Sequence, residues 1–95
     1  MAVIEKKYAL APALVLNVVN DIAEMRKAPL KREDGGPLVM DTEMYGIKTA
    51  YIFHITSSPA DTTVAIETDG ESENDERRVR LMFATLDNML GPFLE

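Results

Sequence analysis

The chain has no cysteine and no tryptophan. Without cysteine there is no disulfide framework and no thiolate metal site, and a stapled secreted scaffold loses its main support. Only one histidine is present, so a site built from several imidazoles is excluded within one copy. Lysine and arginine number 10 against 16 aspartates and glutamates, a net charge of −6. That balance opposes non-specific binding to nucleic acid and to anionic membranes. No apolar run approaches the roughly 20 residues that span a bilayer. The mostly apolar stretch from Tyr8 to Val19, behind Lys6 and Lys7, imitates a signal peptide. Pro12 interrupts it, and Asn20, Asp21 and Glu24 follow where a small-residue cleavage pattern belongs. The expected setting is therefore cytoplasmic. No phosphate loop, nucleophile elbow, His-Glu-x-x-His or dinucleotide fingerprint occurs. An enzyme reading has no motif to rest on, and no cofactor is implied.

What is present fits one globular domain over residues 1–95. The hydrophobic fraction of 46% and charged fraction of 27% are ordinary for a folded soluble chain, and the length suffices for a modest core. The dominant feature is Ser72 to Leu90, which reads as one amphipathic helix. Val79, Met82, Leu86 and Met89 recur at three- and four-residue steps, and Phe83 and Leu90 widen the stripe. Ser72 suits the N-cap, with Glu73, Asp75 and Glu76 where first-turn N–H groups point. Gly91 and Pro92 end the helix.

Ahead of it, Ala2 to Leu10 alternates as a strand, with Ile4, Tyr8 and Leu10 on one face and Lys6 as the exception; Lys6 and Lys7 suit an edge or first strand, where charge discourages edge-to-edge pairing. Pro12 opens a helix whose stripe is Leu14, Val15, Val18, Ile22 and Met25, flanked by Val19. Leu16 lies off that stripe, which points to cover on a second side. Arg26 and Lys27 suit the negative end of the helix dipole, and Pro29 stops the helix. Lys31 to Pro37 reads as a loop; with Arg26 and Lys27, Lys31 and Arg32 form a small basic cluster. Leu38 to Tyr45 alternates, Gly46 marks a turn or bulge, and Ile47 to Thr56 is a strand with Tyr51, Phe53 and Ile55 inward. Ser57 to Asp61 is a turn. Thr62 to Thr68 follows with Val64 and Ile66 inward, and Phe93 and Leu94 are expected to tuck in. The order β-α-β-β-β-α predicts an α+β two-layer sandwich, with both helices on one face of an antiparallel sheet.

Two clusters invite chemistry. His54 sits on a strand without a second histidine or a cysteine to complete a metal site, which favours a plain sheet histidine. Glu67, Asp69, Glu71, Glu73, Asp75 and Glu76 crowd one segment, but the calcium-loop spacing is not met. A solvated loop and a negatively charged helix start account for them, and no metal site is expected.

The six methionines are more suggestive. Met25, Met40, Met44, Met82 and Met89 fall on inward or half-inward faces, and methionine both fills irregular cores and lines adaptable binding surfaces. Met40, Met44, Tyr51, Phe53, Met82 and Leu86 are accordingly the candidate ligand-binding residues, set between the sheet and the terminal helix.

Tyr8 to Asp21, a strand running into a proline-started helix, and Asp61 to Glu67, a strand before the long C-terminal helix, resemble the helix-grip superfamily of START, Bet v 1 and polyketide-cyclase-like domains. Members of that family have six or seven strands curling around the last helix. Four are readable here, so the resemblance implies a shortened version, and with it an apolar small-molecule ligand. It carries no universal catalytic residue onto this chain.

The leading expectation is a non-enzymatic binding module for an apolar small molecule. The alternative is a protein-interaction or self-associating domain, a homodimer included. The near-heptad spacing of Val79, Met82, Leu86, Met89 and Phe93, with Leu81 outside the stripe, could serve a partner as well as a sheet.

Overall fold

A computed structural model describes residues 3–32, 36–44, 46–69 and 75–94, with the backbone alone for Met44 and Ile47. The order is β1 (Val3–Tyr8), α1 (Pro12–Met25), β2 (Leu30–Arg32), β3 (Leu38–Met44), β4 (Ile47–Ser57), β5 (Thr62–Thr68) and α2 (Asp75–Leu90), then a 3-10 turn, Gly91–Phe93. The five strands form one sheet in the order β1-β5-β4-β3-β2, antiparallel throughout. α1 carries the chain from one edge to the other, and β2 to β5 meander back until β5 pairs with β1.

Alternation decides which sheet face is covered. Thr62, Val64, Ile66 and Thr68 of β5 are buried, as are Tyr51 and Phe53 of β4 and Leu38 and Met40 of β3. Their neighbours along each strand are half-buried or exposed. α2 lies over β1 and β5, α1 lies over β4, and the two helices touch. The result is the expected α+β sandwich, both helices on one face. Among the described residues no helix is long and apolar enough to cross a membrane.

α2 buries Val79, Met82, Phe83, Leu86 and Leu90, all of the stripe read from its spacing except Met89; its expected start at Ser72 lies outside the described residues. Asp75 is also buried. Arg78 sits 3.9 Å from it and donates to Thr49 Oγ1 on β4 at 3.1 Å, which ties the helix start to the sheet. Gly46, at φ 78°, supplies the left-handed residue needed where the β3–β4 hairpin closes at Met44↔Ile47.

Four details differ from the sequence reading. Part of the Lys31–Pro37 loop is strand: Leu30, Lys31 and Arg32 pair with Met40, Val39 and Leu38, and Asp41 N–H donates to the Pro29 carbonyl at 3.1 Å. A three-residue strand is too short to show alternation, and its two charges suit an edge. Met25 is 67% exposed. At 100° per residue it lies roughly a quarter-turn from the centre of the buried set Val15, Val18, Val19, Ile22 and Ala23. Phe93 and Leu94 are 51% and 46% exposed, because the core ends at Leu90 and the 3-10 turn carries the chain past it. Met89, read into the α2 stripe, is only half-buried, at the margin of the core.

The end of α1 is strained. Arg26 is the C-cap. Lys27 N–H donates to the Glu24 carbonyl at 3.1 Å and Ala28 N–H to the Ala23 carbonyl at 2.9 Å, the paired bonds of a Schellman motif. That motif needs a left-handed residue, and here it is Lys27 at φ 53° where glycine is usual.

Two sets of stability measurements follow. Leu86 is fully buried and Leu81 is 56% exposed. In denaturant melts Leu86→Ala should lose about 2–5 kcal/mol and Leu81→Ala less than about 1 kcal/mol; equal losses would contradict the packing. Lys27→Gly should relieve the left-handed strain and gain about 1 kcal/mol, read as a higher urea midpoint.

Candidate functional site

Five of the six residues expected to line a ligand site are packed into the core. Met40, Phe53, Met82 and Leu86 are fully buried and Tyr51 is 7% exposed, all in one cluster with Val64, Ile66 and Val79. Their own side chains fill the space between sheet and α2. The Met44 side chain lies outside the described residues.

Open space lies at the two ends of the inward face of β3 and β4. At the β4 C-terminal end is a cleft of about 210 Å³, lined by Pro12 and Leu16 of α1, Leu38, Phe53 and Ile55 of the sheet, and Arg32, Gly36 and Ser57 at its rim. Phe53, one of the candidate residues, is among those that line it. Leu16 and Ile55 are half-buried walls. The off-stripe position of Leu16 was the sequence signal for this cleft. Its other walls come from strands whose spacing says which way they face and nothing about what stands opposite.

At the other end, beside the C-terminus of α1, is a more open concavity of about 540 Å³. Its lining includes Arg26, Lys27 and Lys48, the carboxylate residues Asp41, Glu43 and Asp69, and Thr42 and Thr49. The lining is charged with both signs, and its apolar members are only Ala28, Pro29 and Ala50. Such a mouth stays wet and offers an apolar body little to lie on. The basic cluster read from sequence is thus divided. Arg26 and Lys27 stand at this mouth, Arg32 stands at the smaller cleft, and Lys31 lies 3.8 Å from Asp41.

Between the helices runs a shallow groove lined by Met25, Leu81, Ala84 and Met89. It is where the exposed Leu81 of the interaction reading comes to lie.

The polar groups form structural pairs. Tyr8 is buried and donates from its hydroxyl to Asp87 Oδ1 at 2.8 Å. Lys6 bonds the other oxygen of that carboxylate, with its ammonium 5.7 Å from the Tyr8 ring centre. Burial first, then the bond to Asp87 and its charge, push the Tyr8 ionisation well above its ordinary 10.0. His54 lies on the outer sheet face, its Nε2 3.1 Å from Glu67 Oε1. Among the described residues no three His, Asp or Glu side chains converge as metal ligands would. Gly70 to Asn74, the centre of the acidic segment, lie outside the described residues.

No family model matches the chain, and no curated protein matches it.

Tyr8 sets a pH dependence. The folded state keeps the phenol neutral while the unfolded chain ionises it, so the stability from this group is complete below pH 10 and falls as pH rises beyond it. Tyr8→Phe should cost about 1.5 kcal/mol at neutral pH. It should also flatten the alkaline fall in the urea midpoint; an unchanged alkaline slope would contradict the assignment.

Proposed function

We propose that this domain is a non-enzymatic binding module for a small apolar molecule with a polar or anionic end, held in the cleft between α1 and the β3–β4 part of the sheet. The observation that carries the proposal is the lining of that cleft. Leu16, Leu38, Phe53 and Ile55 are its apolar residues, and Arg32 and Ser57 also line it. Small-molecule sites combine apolar residues with a few placed polar groups, and this cleft draws on both.

Size supports the same choice. A cavity of about 150 Å³ takes benzene, so 210 Å³ accommodates a substituted ring or a short branched chain. Arg32 makes no ion pair among the described residues and is placed to meet a carboxylate. The helix-grip resemblance, carried by Tyr8 to Asp21 and Asp61 to Glu67, implies the same ligand class. The proposed site differs from the expected one in using α1 in place of the terminal helix, because the space under α2 is filled. The proposed setting is cytoplasmic, in keeping with a chain that has no cysteine.

Titration of the ¹⁵N-labelled protein with benzoate and with octanoate tests the reading. Saturable shifts should centre on Leu16, Leu38 and Ile55. Leu16→Trp, which fills the cleft, should abolish them, and Arg32→Ala should weaken both acids. The absence of saturable shifts, or shifts centred on Thr42 and Thr49, would overturn the proposal.

A further inference from the structure

β1 is the sheet edge. β5 pairs along one side of it, and among the described residues no strand lies on the other. A strand so placed presents a row of free backbone N–H and C=O groups, and lysines on an edge ordinarily keep a second strand away. Here that protection is largely cancelled. Lys6 is held by Asp87 of its own chain. Lys7 and Glu5 are exposed on the outer face, and neither makes an ion pair among the described residues.

We propose that β1 is a self-association edge, and that its occupant is β1 of a second copy of this chain, added antiparallel to make one continuous sheet. Symmetry and charge select the register. A two-fold axis perpendicular to the sheet keeps inward residues opposite inward residues, so it must pass through a residue of β1 or between residues two apart in register. Centred on Glu5, the strand sets Glu5 against Glu5 and Ile4 against Lys6. Centred on Lys7, it sets Lys7 against Lys7. Centred on Lys6, it sets Glu5 of each copy against Lys7 of the other, twice, and Ile4 against Tyr8. Opposite charges facing across an antiparallel pair stabilise it, and like charges oppose it. At the axis the two Lys6 side chains meet with their two Asp87 partners, so that four charges balance where two bare ammoniums would repel.

The surroundings suit a second strand. A groove of about 270 Å³ runs beside the edge between β1 and α2, with Ile4, Phe83 and Ala84 as its apolar part. A strand added to β1 lies along the mouth of this groove, the arrangement in which edge addition combines main-chain bonds with side-chain contacts.

Sedimentation equilibrium and light scattering on four samples test the register itself. The wild type should be a dimer. Glu5→Lys alone and Lys7→Glu alone should each weaken it at least tenfold, because each leaves like charges facing. The Glu5→Lys/Lys7→Glu double variant should return to wild-type affinity. An equimolar mixture of the two single variants should form a mixed dimer, with two lysines on one strand facing two glutamates on the other. Both positions are exposed, and circular dichroism checks that each variant stays folded. A wild type monomeric up to millimolar concentration overturns the proposal. So does a dimer indifferent to both single reversals, or a dimer lost with Leu81→Ser and kept in the charge variants, which would move the interface to the helices.

Discussion

The packing of the α2 stripe onto the inward rows of β4 and β5 is the constraint on which the rest depends. Neither side is stable without the other. A helix of this length is marginal in water on its own, and a sheet with one apolar face needs cover. Apolar contact is non-directional and would tolerate a helix shifted or rotated along its axis. Two polar ties remove that freedom. Arg78 reaches Thr49 on β4 near the helix start, and Asp87 takes the Tyr8 hydroxyl on β1 near its end. Between these points Val79, Met82, Phe83 and Leu86 can seat in only one way.

That seating displaces any ligand. Met40, Phe53, Met82 and Leu86 are fully buried, and methionine suits such packing because its unbranched chain adapts to irregular gaps. α1 is shorter and carries smaller side chains in its stripe, chiefly Val15, Val18, Val19 and Ile22. Its N-terminal half therefore leaves the sheet incompletely covered beside Leu16, and the apolar cleft opens there. One packing choice explains both the filled centre and the open end.

The elements with a long, regular period were legible in the sequence. The α2 stripe apart from Met89, the β4 and β5 alternation and the Gly46 turn all stand where spacing put them. The failures have local causes. β2 is too short for any period to show, and its two charges read as loop. Met25 sits at the last turn of α1, where roughly a quarter-turn of drift is enough to move a side chain from core to solvent. The charged exception at Lys6, by contrast, was read rightly as suiting an edge, and it has the Asp87 carboxylate in reach. The candidate site was harder. Spacing reported correctly that Met40, Tyr51, Phe53, Met82 and Leu86 face inward. Whether an inward face meets side chains or empty space depends on volumes contributed by two other elements, and no periodicity carries that information.

The central claim is that sheet and α2 form one cooperative unit, with no cavity between them. Native-state amide hydrogen exchange measures this most directly, because it gives the opening free energy residue by residue. Amides of Val64 to Ile66 in β5 and of Met82 to Leu86 in α2 should exchange only through global unfolding, with the same free energy and the same dependence on denaturant. Exchange in α2 more than tenfold faster than in β5, through an opening that leaves the sheet protected, would contradict the account and make the helix a separable cover.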